Sequence, residues 1–347
     1  MGRDRPVGDR ELEATPRVSV LLPVFDAEAT LSSCLRSIQR QTERDFECVV
    51  VDDGSRDASL TCTRRFAAAD ARFRVVTERH WGLVAALNTG LAHCRGRFVA
   101  RMDADDVMHR DRLAAQAEAL DADPALAAVG SHVRLFPRRA LGDGMRAYER
   151  WLASIDSPQR VREEAFVECP VAHPTLMVRR EMLEVLGYRD RGWPEDYDLV
   201  LRLLEGGQRV SVVPRRLLAW RHGAGRLSHS HPDYAIARFT ACKASFLARG
   251  FLGGSERYVL WGYGATGRSL CRALRDRGKR PSAIVELHPG RVGEIIQGAP
   301  VIRPEALASR PVEPLVVSVA REGPRREIRM ELANLGYRET RDYVCAA

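Results

Sequence analysis

The chain has 347 residues, 45% hydrophobic and 29% charged, which excludes a disordered protein and suits about two domains. No run approaches ~18 apolar residues, so no transmembrane helix is expected, and the polar start Met1-Gly2-Arg3-Asp4-Arg5-Pro6 does not read as a signal peptide. The net charge of +8 splits into +5 over residues 255–347 and +3 over the longer remainder, a weak case for nucleic acid, and no nucleic-acid motif accompanies it.

Residues 1–16 are polar and read as a loose tail. From there strands and helices alternate: strand Val18–Leu22, helix Ala29–Gln41, strand Phe46–Val51, helix Ser59–Ala69, strand Phe73–Thr77, helix Leu83–Cys94, strand Phe98–Met102. Near-continuous apolar strands separated by helices predict a parallel α/β sheet covered on both faces. After Asp106 the pattern loosens. Helices are expected over Arg110–Leu120, Gln159–Phe166, Tyr197–Leu204 and Asp233–Ala248, and strands over Ala127–Phe136, Thr175–Val178, Val210–Pro214 and Leu217–Trp220. The Gly-rich joint Gly250–Ser255 then separates a second βα pattern: strand Tyr258–Trp261, helix Arg268–Arg277, strands Ala283–Val285 and Leu315–Val319, helix Arg325–Leu335. The expected units are 17–251 and 252–347.

The eight cysteines form no C-x-x-C pair and lie in apolar contexts, the pattern of reduced thiols in a cytoplasmic protein. Only Lys243 and Lys279 are lysines among 54 basic residues, which reads as coding bias.

Two strands end in acids, at Val51-Asp52-Asp53-Gly54-Ser55 and at Arg101-Met102-Asp103-Ala104-Asp105-Asp106. Ligands of open α/β sheets bind at such carboxyl ends. The first run also suits an ordinary turn. The second brings together acids that repel unless a cation joins them, and Mg²⁺ or Mn²⁺ takes such oxygen ligands. Asp103 and Asp105 are expected to face one way in an extended segment, with no cation in the motif to neutralise them.

Together with the opening Pro16-Arg17-Val18-Ser19-Val20-Leu21-Leu22-Pro23-Val24-Phe25-Asp26, these segments resemble the inverting family 2 glycosyltransferases of GT-A fold, over residues 16–232. The resemblance implies a mixed, mostly parallel sheet and transfer from a nucleotide-diphospho-sugar, usually a UDP-sugar, to a glycan or glycolipid hydroxyl in surface polysaccharide or glycoconjugate synthesis. It implies that Asp53 meets the donor's base beside the backbone of Pro23 and Val24. Asp103 and Asp105 become the DXD motif, with Asp105 the direct ligand of Mg²⁺ or Mn²⁺. Glu195-Asp196 matches the ED motif, with Asp196 as general base; acids in a helix's first turn also simply complement its dipole. His173 would lie near the acceptor or be a packed core histidine, and Arg221-His222 would approach the diphosphate. Asp26 is expected to cap the following helix. Leu87 stands before Asn88 where many members carry Arg.

Gly262-Tyr263-Gly264-Ala265-Thr266-Gly267 fits G-x-G-x-x-G between a predicted strand and helix, with Glu286 ending the next strand. This part resembles the small Rossmann-like domains of some sugar-modifying transferases, which implies a second nucleotide-type ligand held by Gly262, Gly264, Gly267 and Glu286; a ligand-free βα turn is the other reading. An NAD(P)-linked oxidoreductase would leave the first 250 residues unexplained, and a non-catalytic sugar-nucleotide sensor or scaffold would not need the full acid set. Peripheral membrane association is expected only through a lipid-linked acceptor, and oligomeric state is not legible.

Overall fold

A computed structural model describes residues 15–223 and 231–347. The tail expected over residues 1–16 lies, as far as residue 14, outside the described residues.

The first half alternates as expected: β1 (Val18–Val24), α1 (Glu28–Gln39), β2 (Phe46–Asp52), α2 (Ser59–Ala69), β3 (Phe73–Thr77), α3 (Leu83–His93) and β4 (Phe98–Arg101). Every residue of β1, β2 and β4 is buried, which is why these strands read as continuous apolar runs. Next come β5 (Val107–Met108), α4 (Arg112–Ala122), β6 (Leu126–Phe136), α5 (Asp143–Ala153), α6 (Pro158–Glu164), β7 (Met177–Arg179), α7 (Arg180–Leu186), α8 (Glu195–Glu205) and β8 (Arg209–Arg221). The sheet has eight strands in the order β3-β2-β1-β4-β7-β6-β8-β5. β3, β2, β1 and β4 run parallel, β7 is antiparallel to both its neighbours, and β6 pairs parallel with β8.

Three differences from the sequence reading have local causes. Val210–Pro214 and Leu217–Trp220 are one strand, β8, whose register against β6 slips between Val213 and Arg216. Pro214 sits at the slip and has no N–H to give the ladder. α5 was not expected; it buries only Glu149, Trp151 and Leu152 and so carries a short apolar stripe. α7, also unexpected, is seven residues long and buries only Leu183.

The remainder comprises α9 (Ile236–Arg249), β9 (Arg257–Trp261), α10 (Ala265–Arg275), β10 (Arg280–Val285), β11 (Ile295–Ile296), β12 (Ala299–Ile302), β13 (Leu315–Val317), α11 (Glu322–Asn334) and β14 (Tyr343–Cys345). They form a second sheet in the order β11-β12-β10-β9-β13-β14, parallel except for the β11–β12 hairpin. α10 begins immediately after Gly264, three residues earlier than the sequence pattern suggested.

α9 serves both sheets. Its Cys242 and Phe246 pack on Tyr197, Val200 and Leu201 of α8. Its Ala244, Leu247 and Ala248 join the second core with Tyr258, Leu270 and Ile284. A buried ionic seam reinforces the junction. Glu164 is 1% exposed; it pairs with Arg160 (2.8 Å) and Arg329 (3.0 Å) and accepts from Trp151 Nε1 (2.9 Å). Lys243 Nζ donates to the carbonyls of Val167 (3.1 Å) and Ala346 (2.8 Å), and Lys279 Nζ to those of Leu252 (2.6 Å) and Ser255 (2.8 Å). All eight cysteines are free. Among the described residues no helix is long and apolar enough to cross a membrane.

Candidate active site

β1 lies between β2 and β4, and all three run parallel, so the acid-bearing ends of β2 and β4 share one edge about 10 Å apart, two strand spacings. Asp53 is buried there. Its carboxylate accepts from the N–H of Trp81 (2.8 Å), the N–H of Gly82 (3.0 Å) and His80 Nδ1 (2.8 Å). Its own N–H donates to Val24 O, which ties it to β1 beside the buried Pro23 (2.8 Å). Gly54 has φ 72°, and a Cβ on it would come within 2.8 Å of His80 N, so the turn needs glycine. His80 stacks on Phe25 at 3.9 Å, and Trp81 is 69% exposed. Sequence reasoning named Asp53 but missed this 80–82 loop, because its contacts depend on chain folding rather than spacing.

Asp26 does not cap α1. It sits at φ 45° and accepts from Arg56 N–H (2.7 Å), while Ser59 and Asp57 from the start of α2 take the N–H groups of Ala27 and Glu28. The positive φ turns the Asp26 side chain away from α1, and the neighbouring helix start fills its place.

Asp103–Asp106 is a turn, not an extended segment: β4 ends at Arg101, and Asp106 N–H closes back on Asp103 O (3.3 Å). The turn gathers three acids instead of the expected two. Oxygens of Asp103, Asp105 and Asp106 lie within 4.8 Å of one another. Asp106 is buried and accepts from Arg221 N–H (2.7 Å), while Arg221 Nε donates to Asp105 O (2.7 Å). The pair Arg221-His222 thus stands beside the turn, with the Arg221 guanidinium over the Phe136 ring and His222 N–H on Phe136 O.

The motif also does contain a cation, contrary to the sequence reading. Arg101, with a side chain only 4% exposed, pairs directly with Asp103. Arg101 is the last residue of β4, and the chain leaves the strand into the turn that brings Asp103 to it. Burial works against its charge, but the charge and hydrogen bond of Asp103 and the charge of Glu195 outweigh that and keep it protonated.

The third group opens α8. Glu195 is 4% exposed; Oε2 accepts from Tyr234 OH (2.6 Å), and His173 Nδ1 lies 3.4 Å from Oε1 without the alignment of a full hydrogen bond. Burial pushes the Glu195 carboxyl up, but His173 and Tyr234 outweigh it and hold it below the usual range. His173 is itself held below its ordinary value, by burial and then by Arg101. That leaves Tyr234 as the firmer support of the Glu195 charge. Asp196, next along, moves the other way: burial and then the Glu195 charge raise it well above an ordinary aspartate, against the opposing Tyr197 N–H and Arg101. Burial and the adjacent acid thus overcome the helix dipole, which alone would lower it. Sequence reasoning missed Arg101 and Tyr234. Arg101 was legible as the basic residue just before the acids, whereas Tyr234 lies 39 residues from Glu195 and carries no motif.

A family model described as "Glycosyl transferase family 2" matches residues 19–187. The amylovoran biosynthesis glycosyltransferase AmsE of Erwinia amylovora is 30% identical over 210 residues, 59% of this chain and 76% of AmsE. The chain belongs to glycosyltransferase family 2. EpsE of Bacillus subtilis, also described as a glycosyltransferase, is 29% identical over 242 residues, 67% of this chain and 84% of EpsE. Among solved structures, Staphylococcus aureus TarS residues 1–349 in complex with UDP aligns with TM-score 0.52 at 17% identity, covering 74% of this chain and 70% of that one. The fold is accordingly GT-A, with the mixed, mostly parallel sheet expected. In this family 2 transferase Leu87 is fully buried in the core, and the neighbouring Asn88 brackets the Tyr188 backbone with two 3.0 Å bonds.

The glycine loop lies outside the matched glycosyltransferase segment. Gly262 has φ 94°, and a Cβ there would meet Val319; a Cβ on Gly267 would strike Gly262 O at 2.2 Å. These two glycines are explained by the turn and by close helix–strand packing. A Cβ on Gly264 would meet nothing within 4 Å. Glu286, after β10, accepts from Leu287 N–H and lies 3.8 Å from Arg291.

Proposed function

We propose that the chain is an inverting, metal-dependent glycosyltransferase that moves a sugar from a UDP-sugar to an acceptor hydroxyl in polysaccharide or glycoconjugate synthesis. The observation that carries this reading is Arg101. One buried guanidinium pairs with Asp103 and lies within electrostatic reach of Glu195, which supports reading the two acid sets, about 90 residues apart in the chain, as parts of one site. The cluster Asp103, Asp105 and Asp106 offers only hard oxygen donors, which fits Mg²⁺ or Mn²⁺, with Asp103 and Asp105 as the ligands in this reading. Such a cation supplies Lewis-acid stabilisation of the departing nucleoside diphosphate.

The chain's own residues do the rest. Asp53 orients the donor base beside Pro23 and Val24, with the Phe25–His80 stack alongside. Asp196 takes the acceptor's proton, and its raised proton affinity suits a general base. Inversion follows if Asp196 and the diphosphate lie on opposite faces of the sugar, as the paired groups of inverting hydrolases do. Arg221 and His222 approach the diphosphate. TarS, whose fold this chain shares, is solved with UDP and UDP-GlcNAc, and AmsE is named for polysaccharide synthesis; donor and pathway are carried across on those grounds. The reading includes a cytoplasmic enzyme, a glycan or glycolipid acceptor, and units 17–251 and 252–347 joined by α9. Gly264 supports a second nucleotide-type ligand on the later unit, since the fold itself does not require glycine there.

A donor screen by calorimetry with and without Mn²⁺, followed by mass spectrometry of products, tests the reading. Asp196→Asn should keep donor affinity within a few-fold and cut transfer ~10²–10⁴-fold. Unimpaired transfer by that variant removes Asp196 from the mechanism.

A further inference from the structure

We infer that Tyr234 is a positioning residue of the transfer reaction: its hydroxyl fixes the Glu195 carboxylate against Asp196, and Glu195 in turn governs how Asp196 takes and releases the acceptor's proton. The inference rests on the reading of Asp196 as the base. It begins from geometry. Glu195 is buried, its Oε2 is held by Tyr234 OH at 2.6 Å, and its Oε1 receives no full hydrogen bond among the described residues. A buried carboxylate with a full hydrogen bond at only one oxygen leans on that bond for its rotamer, and the bond adds to what holds its charge. Asp196 follows Glu195 directly at the start of α8, so a reoriented Glu195 changes the field at the base.

Tyr234 reaches Glu195 from an element that no motif connects to it. It ends the short turn Pro232–Tyr234, immediately before α9, and α9 is packed on α8 through Phe239 against Tyr197 (5.7 Å) and through Cys242 and Phe246. The hydroxyl is therefore delivered by a short turn that leads directly into a helix anchored on the same helix that carries the two acids.

Several charged and titratable groups face Asp196. Glu195 lies on its own helix, Arg101 comes from β4, and Glu168 from the segment after α6. Tyr188 follows α7, Cys169 precedes β7, Tyr234 precedes α9, and Cys242 lies within α9. Of these, Glu195 is the nearest in the chain, and its anionic form is the one Tyr234 supports. Burial and the Glu195 charge both push Tyr234 upward, so it stays a neutral donor at any working pH. The Glu195 charge raises the proton affinity of Asp196. Removing that charge should lower it, giving a weaker base and an acid limb of the pH–rate profile at lower pH.

The test is a double-mutant cycle on the full chain, with kcat, donor KM and the pH profile as readouts. Tyr234→Phe keeps the ring and removes the hydroxyl; kcat should fall roughly 10–100-fold with donor KM nearly unchanged. Glu195→Gln should move the acid limb to lower pH. Tyr234→Phe added to Glu195→Gln should cost little more than Glu195→Gln alone, because the hydroxyl acts through that carboxylate. Donor affinity measured by calorimetry reports whether each variant is folded. If Asp196→Asn is inactive but Tyr234→Phe keeps full kcat, or adds its whole loss to that of Glu195→Gln, the inference is overturned and the base reading stands. If Asp196→Asn transfers normally, the base reading itself fails.

Discussion

Neighbouring acids at the start of α8 are driven apart in proton affinity: Glu195 stays ionised and Asp196 is raised. The rate should fall as the pH drops through the raised Asp196 value, so the acid limb lies above the ~4 of an ordinary aspartate. The same shift has a cost in stability. Because the folded value is raised, the Asp196 contribution is fully present below the unfolded value of ~4 and lost as pH rises through the folded one. Asp196→Asn keeps the shape without the charge. Its melting temperature by scanning calorimetry should therefore gain on the parent from about pH 5 to about pH 8, while transfer is lost. A falling melting temperature would instead give the carboxylate a capping role. Asp105→Asn should abolish turnover and weaken donor binding with little change in melting, since the amide keeps the shape of this half-buried side chain; full activity in excess chelator would contradict the metal reading.

At the scale of elements, the alternation from β1 to β4 was legible because buried parallel strands are apolar throughout and α1 and α3 carry apolar stripes. The acid-bearing ends were legible for the same reason: charge appears where an apolar run stops. α7 and α5 were not, since one buried residue makes no stripe and the α5 stripe is short. Nor was the convergence of Asp106 with Asp103 and Asp105, which depends on a turn and not on alternation. The glycine loop shows how far spacing reaches. G-x-G-x-x-G was read correctly as a strand-to-helix turn, but the reason for each glycine needed coordinates. Gly262→Ala should cost roughly 1–3 kcal/mol, from strain and the Val319 contact, and Gly267→Ala should be at least as damaging because it meets backbone. Gly264→Ala should stay within about 1 kcal/mol in denaturant titrations. If the loop holds a nucleotide, Gly264→Val should abolish that binding while the chain remains folded; saturable binding that survives the valine would leave Gly264 without a ligand role.

For the whole molecule, α9 and the Glu164 seam make the two sheets one mechanical body. Burial alone would raise the Glu164 carboxyl, but Arg329, Trp151, Arg325 and Arg160 outweigh it and hold it low. Its contribution is present above the unfolded value of ~4.3 and lost as pH falls through the folded one. Glu164→Gln strands buried arginines and should cost about 3–5 kcal/mol, seen as an earlier transition in the melt of the full chain. A fragment starting at 252 would lack Ala244, Leu247 and Ala248 and expose the face of the second core they cover. Two separate melting transitions in the full chain would contradict the single body.

Both lysines of the chain stand at this junction, one bonded across it and one on the Gly-rich joint. Burial lowers the Lys243 amine to about 8, and an opening that uncovers it would both expose it to reagent and return it toward the ordinary lysine value of ~10.4. Acylation of Lys243 by an amine-directed reagent at alkaline pH, resolved by peptide mass mapping, then becomes a clock for how often the two sheets part, with the half-buried Lys279 as the internal reference.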